Sequence, residues 1–114
     1  MPVKANPSKL NPLQLRTLAI LQELAKDPHH ALPADGDGAV AVTNLPHPHG
    51  DHFHVGGFMV SSRDASGLFN EAVWKALERK GLARAAFPQV ITLTRDGLAY
   101  DTGVRREIMH HGHH

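Results

Sequence analysis

The sequence predicts an α+β domain in which two main helices pack on a small antiparallel sheet that carries a long histidine-rich hairpin. Three observations lead there. Apolar residues recur at helical spacing over 11–27 and again over 66–80. Runs rich in β-branched residues at 39–45, 52–61 and 89–94 read as strands. A length of 114 residues suits one hydrophobic core but not two, and no internal repeat is present. The chain 1–114 therefore reads as a single domain with a flexible arm over 1–10 and a flexible tail over 102–114.

The elements follow in order. Pro2, Pro7 and Pro12 discourage a helix before residue 11. Asn11 then offers an N-cap, Pro12 suits the first helical position, and Gln14 completes a capping box. Leu13, Leu15, Leu18, Ile20, Leu21 and Leu24 supply the buried faces of the helix, which Pro28 ends. Residues 28–38, rich in Pro, Gly and Asp, form a loop. The strand 39–45 and the strand 52–61, the latter with a glycine bulge at Gly56-Gly57, are expected to pair across the Pro46–Asp51 turn as a long hairpin. Asp64 or Ser66 caps the second helix, Leu68, Phe69, Ala72, Val73, Ala76 and Leu77 form its buried stripe, and Gly81 with Leu82 ends it as a Schellman motif. Residues 89–94 form a strand, Arg95-Asp96-Gly97 turns, and Leu98-Ala99-Tyr100 returns as a short strand.

Composition narrows the function classes. The chain is 41% hydrophobic but only 5% aromatic, so the core rests on Leu, Val, Ile and Ala. No apolar run approaches the roughly 18 residues that span a bilayer, and the amino terminus lacks the apolar region of a signal peptide. A soluble protein with a cytoplasmic location and no membrane partner is the default expectation. Without cysteine there is neither a disulfide framework nor a thiolate metal site. A formal net charge of +1 excludes nucleic-acid binding by bulk electrostatics and leaves only local basic clusters for that role.

One such cluster lies where a family resemblance falls. Leu77-Glu78-Arg79-Lys80-Gly81-Leu82 is followed, after a short basic spacer, by Leu93-Thr94-Arg95-Asp96-Gly97. Residues 71–101 thereby resemble the recognition helix and wing of winged-helix regulators of the multiple-antibiotic-resistance type, whose phrases are L-x-x-[KR]-G-L and L-T-x-x-G. The resemblance implies a winged-helix-like fold, with the second helix in a DNA major groove and the wing against a phosphate backbone. It places Lys75, Arg79, Lys80, Arg84 and Arg95 at the nucleic acid, and it implies a homodimer. Only Ser62 to Gly67 is available for the short helix such folds carry before the recognition helix. The plain alternative is that these cations are the solvated face of an amphipathic helix, with Glu71–Lys75 as an i,i+4 pair.

Histidine is the compositional outlier, with ten in 114 residues. They fall at His29-His30, at His47, His49, His52 and His54, and at His110-His111 and His113-His114. His47-Pro48-His49-Gly50-Asp51-His52 resembles the H-x-H-x-D-H signature of the metallo-β-lactamase superfamily, in which His47 and His49 would hold one metal and Asp51 and His52 another. The chain is too short for that four-layer fold and lacks its later ligands, so the match reads as coincidental. Metal binding does not depend on it. Histidines two apart on an extended chain point to one side, so His52 and His54 project together, as do His47 and His49 if extended. His47, His49, Asp51, His52 and His54 are the candidate ligands, and imidazole suits Zn²⁺, Ni²⁺ or Cu²⁺. The histidines of 110–114 are a chelating tail in their own right.

Catalysis has little to stand on. There is no G-x-S-x-G elbow, phosphate-binding loop, catalytic carboxylate pair or dinucleotide fingerprint. Asp35-Gly36-Asp37-Gly38 lacks the closing Glu of a calcium loop and reads as a turn. The sequence therefore favours a binding role: a regulatory or nucleic-acid-binding protein with metal-responsiveness as an added expectation, or a histidine-rich metal-binding protein, or a protein-interaction module built on the hairpin.

Overall fold

A computed structural model describes residues 6–33 and 36–111. It is a mixed α+β structure, with two small antiparallel sheets and four helices among the described residues. The expected first helix is α1 (Pro12–Leu24), and its capping box forms as the sequence predicts. The Asn11 side chain accepts from the Gln14 amide at 2.8 Å, while the Gln14 side chain accepts from the Asn11 amide at 3.0 Å. The helix stops three residues short of 27. Lys26 and Asp27 donate to Glu23 and Leu24 in tightened i→i+3 turns before Pro28.

The strands pair differently from the long hairpin expected over 39–61. β1 (Ala31–Pro33) and β2 (Val40–Val42) pair with each other, and β2 also pairs with β6 (Val90–Leu93). β3 (His52–Val55) pairs instead with β4 (Phe58–Ser61). The cause is Gly56-Gly57, which is a two-residue reversal with Gly56 at φ 61° rather than a bulge in a continuing strand.

The second helix, α2 (Glu71–Arg79), begins five residues later than its apolar stripe suggests. Asn70 provides the cap, accepting from Ala72, and residues 62–69 are occupied by turns. Gly67 explains the delay in part, because a Cβ there would stand 2.2 Å from Thr17 Oγ1 and 3.1 Å from Leu13. The segment is thus laid directly on α1. The end of α2 matches expectation: Leu82 donates to Leu77 and Gly81 to Glu78, with Gly81 at φ 76°, a full Schellman motif.

Beyond α2 three expectations change. Ala83–Ala86 forms β5, antiparallel to β6, so the hairpin here is β5–β6. Arg95–Ala99 is the short helix α3, not a turn leading into a strand; Thr94 caps it by accepting from Gly97 at 3.1 Å. Where the sequence reads as a loose tail, Arg105–Ile108 forms α4 and His110–His111 forms β7, which pairs with β4. Ile108 and Met109 are 2% and 7% exposed, so apolar burial fixes this segment despite its lack of periodicity. The described part of the arm is held as well. Leu10 is buried, and Tyr100 hydroxyl accepts from the Ser8 amide and donates to the Asn6 side chain. Residues 1–5, 34–35 and 112–114 lie outside the described residues.

The sheets run β1-β2-β6-β5 and β3-β4-β7. The core joins α1 and α2 to both, with Trp74, Leu18, Leu21, Leu77, Ile91 and Val60 fully enclosed. Trp74 Nε1 donates to the Leu68 carbonyl at 2.9 Å, giving the buried indole its partner. Among the described residues no helix is long and apolar enough to cross a membrane.

Candidate metal centre

The first turn of the histidine segment is made by Gly50 and Asp51. His49 and His52 form an isolated antiparallel bridge around them, His49 donating to the His52 carbonyl at 2.7 Å, with Gly50 at φ 67°. A second reversal at Gly56-Gly57 follows four residues later. The intervening strand β3 alternates strictly: Phe53 and Val55 are buried, while His52 and His54 are half-buried on the opposite face.

This geometry gathers three imidazoles. The rings of His49 and His54 have centroids 4.9 Å apart, those of His52 and His54 also 4.9 Å, and those of His49 and His52 6.2 Å. The first two pairs meet nearly edge to face and the third is stacked. Asp51 stands behind His52, its Oδ1 3.3 Å from His52 Nδ1. A proton on Nδ1 shared with that carboxylate leaves Nε2 as the donor atom for a metal, the tautomer that carboxylate partners enforce on metal-binding histidines. Asp51 is thus placed to orient a ligand.

The predicted ligand set is therefore split. His49, His52 and His54 come together; Asp51 touches His52; His47 is exposed before the bridge, outside the ring contacts of the other three. As the side chains stand, no group of three or more His, Asp or Glu among the described residues is arranged to hold a metal ion. The rings touch, but their nitrogens do not yet converge. Residues missed in the sequence reading share the same sheet face. Met59 lies opposite His54, and His110 lies opposite Met59 on β7. No local signal marks the two-residue strand that brings His110 there.

The predicted nucleic-acid residues are more dispersed. Lys75 pairs with Glu71 at 3.5 Å, and Arg84 Nη1 lies 3.8 Å from Asp37. Arg95 packs along Gly38, its Cδ 3.1 Å from where a Cβ would stand. Arg79 and Lys80 are exposed at the carboxyl end of α2, where positive charge complements the helix dipole. Glu78 lies among them, its carboxylate accepting from the Ala85 amide at 3.4 Å. One titratable group is clearly shifted. The His29 amide donates to the Asp27 carboxylate at 2.9 Å and, with the His29 and His30 rings adding to it against a smaller opposing effect of desolvation, holds it below the usual aspartate value.

No protein-family model matches the chain, and comparison with curated proteins and with solved structures found no match either.

Proposed function

We propose that this protein is a histidine-based transition-metal-binding module that takes Zn²⁺, Ni²⁺ or Cu²⁺ at His49, His52 and His54. The observation that carries the reading is the spacing of the three rings. Imidazoles ligating one tetrahedral ion at about 2.0–2.1 Å have ring centroids roughly 5 Å apart. Two of the three separations here are 4.9 Å, and the third, at 6.2 Å, exceeds that value by about 1 Å. Rotation of the exposed His49 and half-buried His52 rings about χ1 and χ2 closes such a gap without moving backbone. Gathered imidazoles on an outer sheet face contribute little to the core, which Phe53 and Val55 already serve from the other side.

The test is thermal unfolding of the full chain carrying His113→Ala and His114→Ala, with and without each metal. At a hundredfold excess over the dissociation constant, native-state binding adds about 2.7 kcal/mol. For a domain of this size that raises the midpoint by about 10 °C. The rise is expected with at least one metal and is lost in His52→Ala and His54→Ala. A flat response to all three metals sinks the proposal.

A second reading, a winged-helix-like nucleic-acid binder that pairs as a homodimer and responds to metal, draws support from one feature. α2 ends at Gly81-Leu82 and leads directly into the β5–β6 hairpin, the helix-then-hairpin order that the resemblance implies. It ranks second because Lys75 and Arg84 already face carboxylates. Binding to duplex DNA at low and moderate salt decides it. Removing Arg79 and Lys80 should lower the salt slope by about 2, roughly one for each lost phosphate contact. No association at low salt refutes this reading and leaves the metal proposal untouched.

A further inference from the structure

We infer that the outer face of the β3–β4–β7 sheet is a copper(I) site, in which Met59 supplies a thioether sulfur and His54 and His110 supply imidazoles. The inference rests on the metal-binding reading above and narrows its ligand class. The register carries it. His54 is opposite Met59 on β4, and Met59 is opposite His110 on β7. Residues directly opposite each other in an antiparallel sheet project to the same face, so the three side chains form one row. The next row, Val55, Phe58 and His111, projects the other way. Val55 is fully buried there, and the Arg105 guanidinium lies 4.9 Å from the Phe58 ring centroid. The Met59 row therefore faces away from the core.

Neighbouring strands lie about 4.8 Å apart, which sets the His54 and His110 backbones roughly 10 Å from each other with Met59 between. An ion above the Met59 sulfur is within reach of an imidazole from either side. The chemistry of the row then selects the ion. A thioether is a soft ligand that favours Cu(I), whereas hard cations prefer oxygen and borderline Zn²⁺ is well served by imidazole alone. No carboxylate occupies the row, and Asp51 is off to one side at the hairpin turn. His54 belongs both to this row and to the histidine cluster, so the face offers an all-imidazole set at one end and a sulfur-containing set at the other. Binding across three strands also ties β7, the last described strand, to β4.

The experiment uses the full chain with His113→Ala and His114→Ala, under anaerobic conditions, with Cu(I) supplied as its bicinchoninate complex and Zn²⁺ measured separately. The chain should withdraw one equivalent of Cu(I), and X-ray absorption should show a sulfur neighbour at the copper. Met59→Leu, a volume-conserving change, and His110→Ala should each weaken Cu(I) by about tenfold or more, a loss that removal of even an outer partner of a metal ligand can cause. Zn²⁺ affinity should stay within about twofold in both variants, while His49→Ala should weaken Zn²⁺ and spare Cu(I). Far-ultraviolet circular dichroism confirms that each variant is folded. Cu(I) affinity unchanged by Met59→Leu, or copper without a sulfur neighbour, overturns the inference while leaving the imidazole site standing. Failure to retain either metal overturns both.

Discussion

Gly97 offers a substitution for which local and tertiary reasoning predict opposite signs. It lies inside α3, and in a helix interior Ala is favoured over Gly by about 1 kcal/mol. On that ground alone Gly97→Ala stabilises. The tertiary setting reverses this, because a Cβ at position 97 would stand 2.0 Å from the carbonyl oxygen of Leu82. That approach must open by about 1.4 Å before the atoms are in ordinary contact. The partner is backbone at the Schellman end of α2, which cannot swing aside as a side-chain tip can. Overpacking of this kind costs about 1–3 kcal/mol. If α3 moves instead, it strains the Thr94 amide to Leu82 carbonyl bond of 3.1 Å and the Gln22 side-chain bond to the Gly97 carbonyl of 2.8 Å. Each is worth about 1 kcal/mol. The net expectation is a loss of about 3 kcal/mol, or a midpoint lower by roughly 12 °C. Thermal and urea unfolding measure it, with Gly36→Ala as the control, since nothing lies within 4 Å of a Cβ there. A Gly97→Ala protein at or above the parent midpoint refutes the packing of α3 against Leu82.

Other outcomes follow from the same structure. Ile108→Ala should cost about 2–5 kcal/mol in urea unfolding, because the side chain is only 2% exposed; a loose tail would give a change within about 0.5 kcal/mol. Asp27 has its carboxyl held below its usual value by the His29 amide, so its contribution to stability is present above the unfolded aspartate value near pH 3.9 and is lost as pH falls through the folded one. Asp27→Ala should therefore lower the midpoint near neutral pH, and the gap from the parent should close as pH falls below the unfolded aspartate value; a gap that persists undiminished well below that value contradicts the assignment. Metal binding at the histidine cluster should weaken on acidification, because protons and metal compete for the same nitrogens; calorimetric titration at two pH values measures it, and affinity that rises on acidification contradicts imidazole ligation.

Features encoded over a few neighbouring residues were legible in the sequence. Asn11 and Gln14 announce the start of α1, and Gly81-Leu82 announce the end of α2, because caps are settled by local hydrogen bonding. Features decided by distant partners were not. Ala83-Arg84-Ala85-Ala86 has no β-branched residue and becomes a strand only because β6 pairs with it. Ile108 and Met109 carry no periodicity, yet burial orders the segment around them. Gly56-Gly57 reads in the sequence as a bulge but is a reversal, and the difference changes the strand partners between 40 and 61. The site divides along the same line. His52 and His54 were placed together by the two-residue period of a strand, and His49 joined them through a tight turn the local sequence permits. Met59 and His110 entered the same face through pairings that no spacing rule contains.

The most direct test of the central claim is a titration followed by nitrogen-detected NMR of the imidazole rings in the chain carrying His113→Ala and His114→Ala. Zn²⁺ should shift the His49, His52 and His54 ring signals together, saturating at one equivalent, with Nε2 as the bound nitrogen of His52. Shifts confined to His29, His30 and the remaining terminal histidines, or no saturable shift in the three, would contradict it.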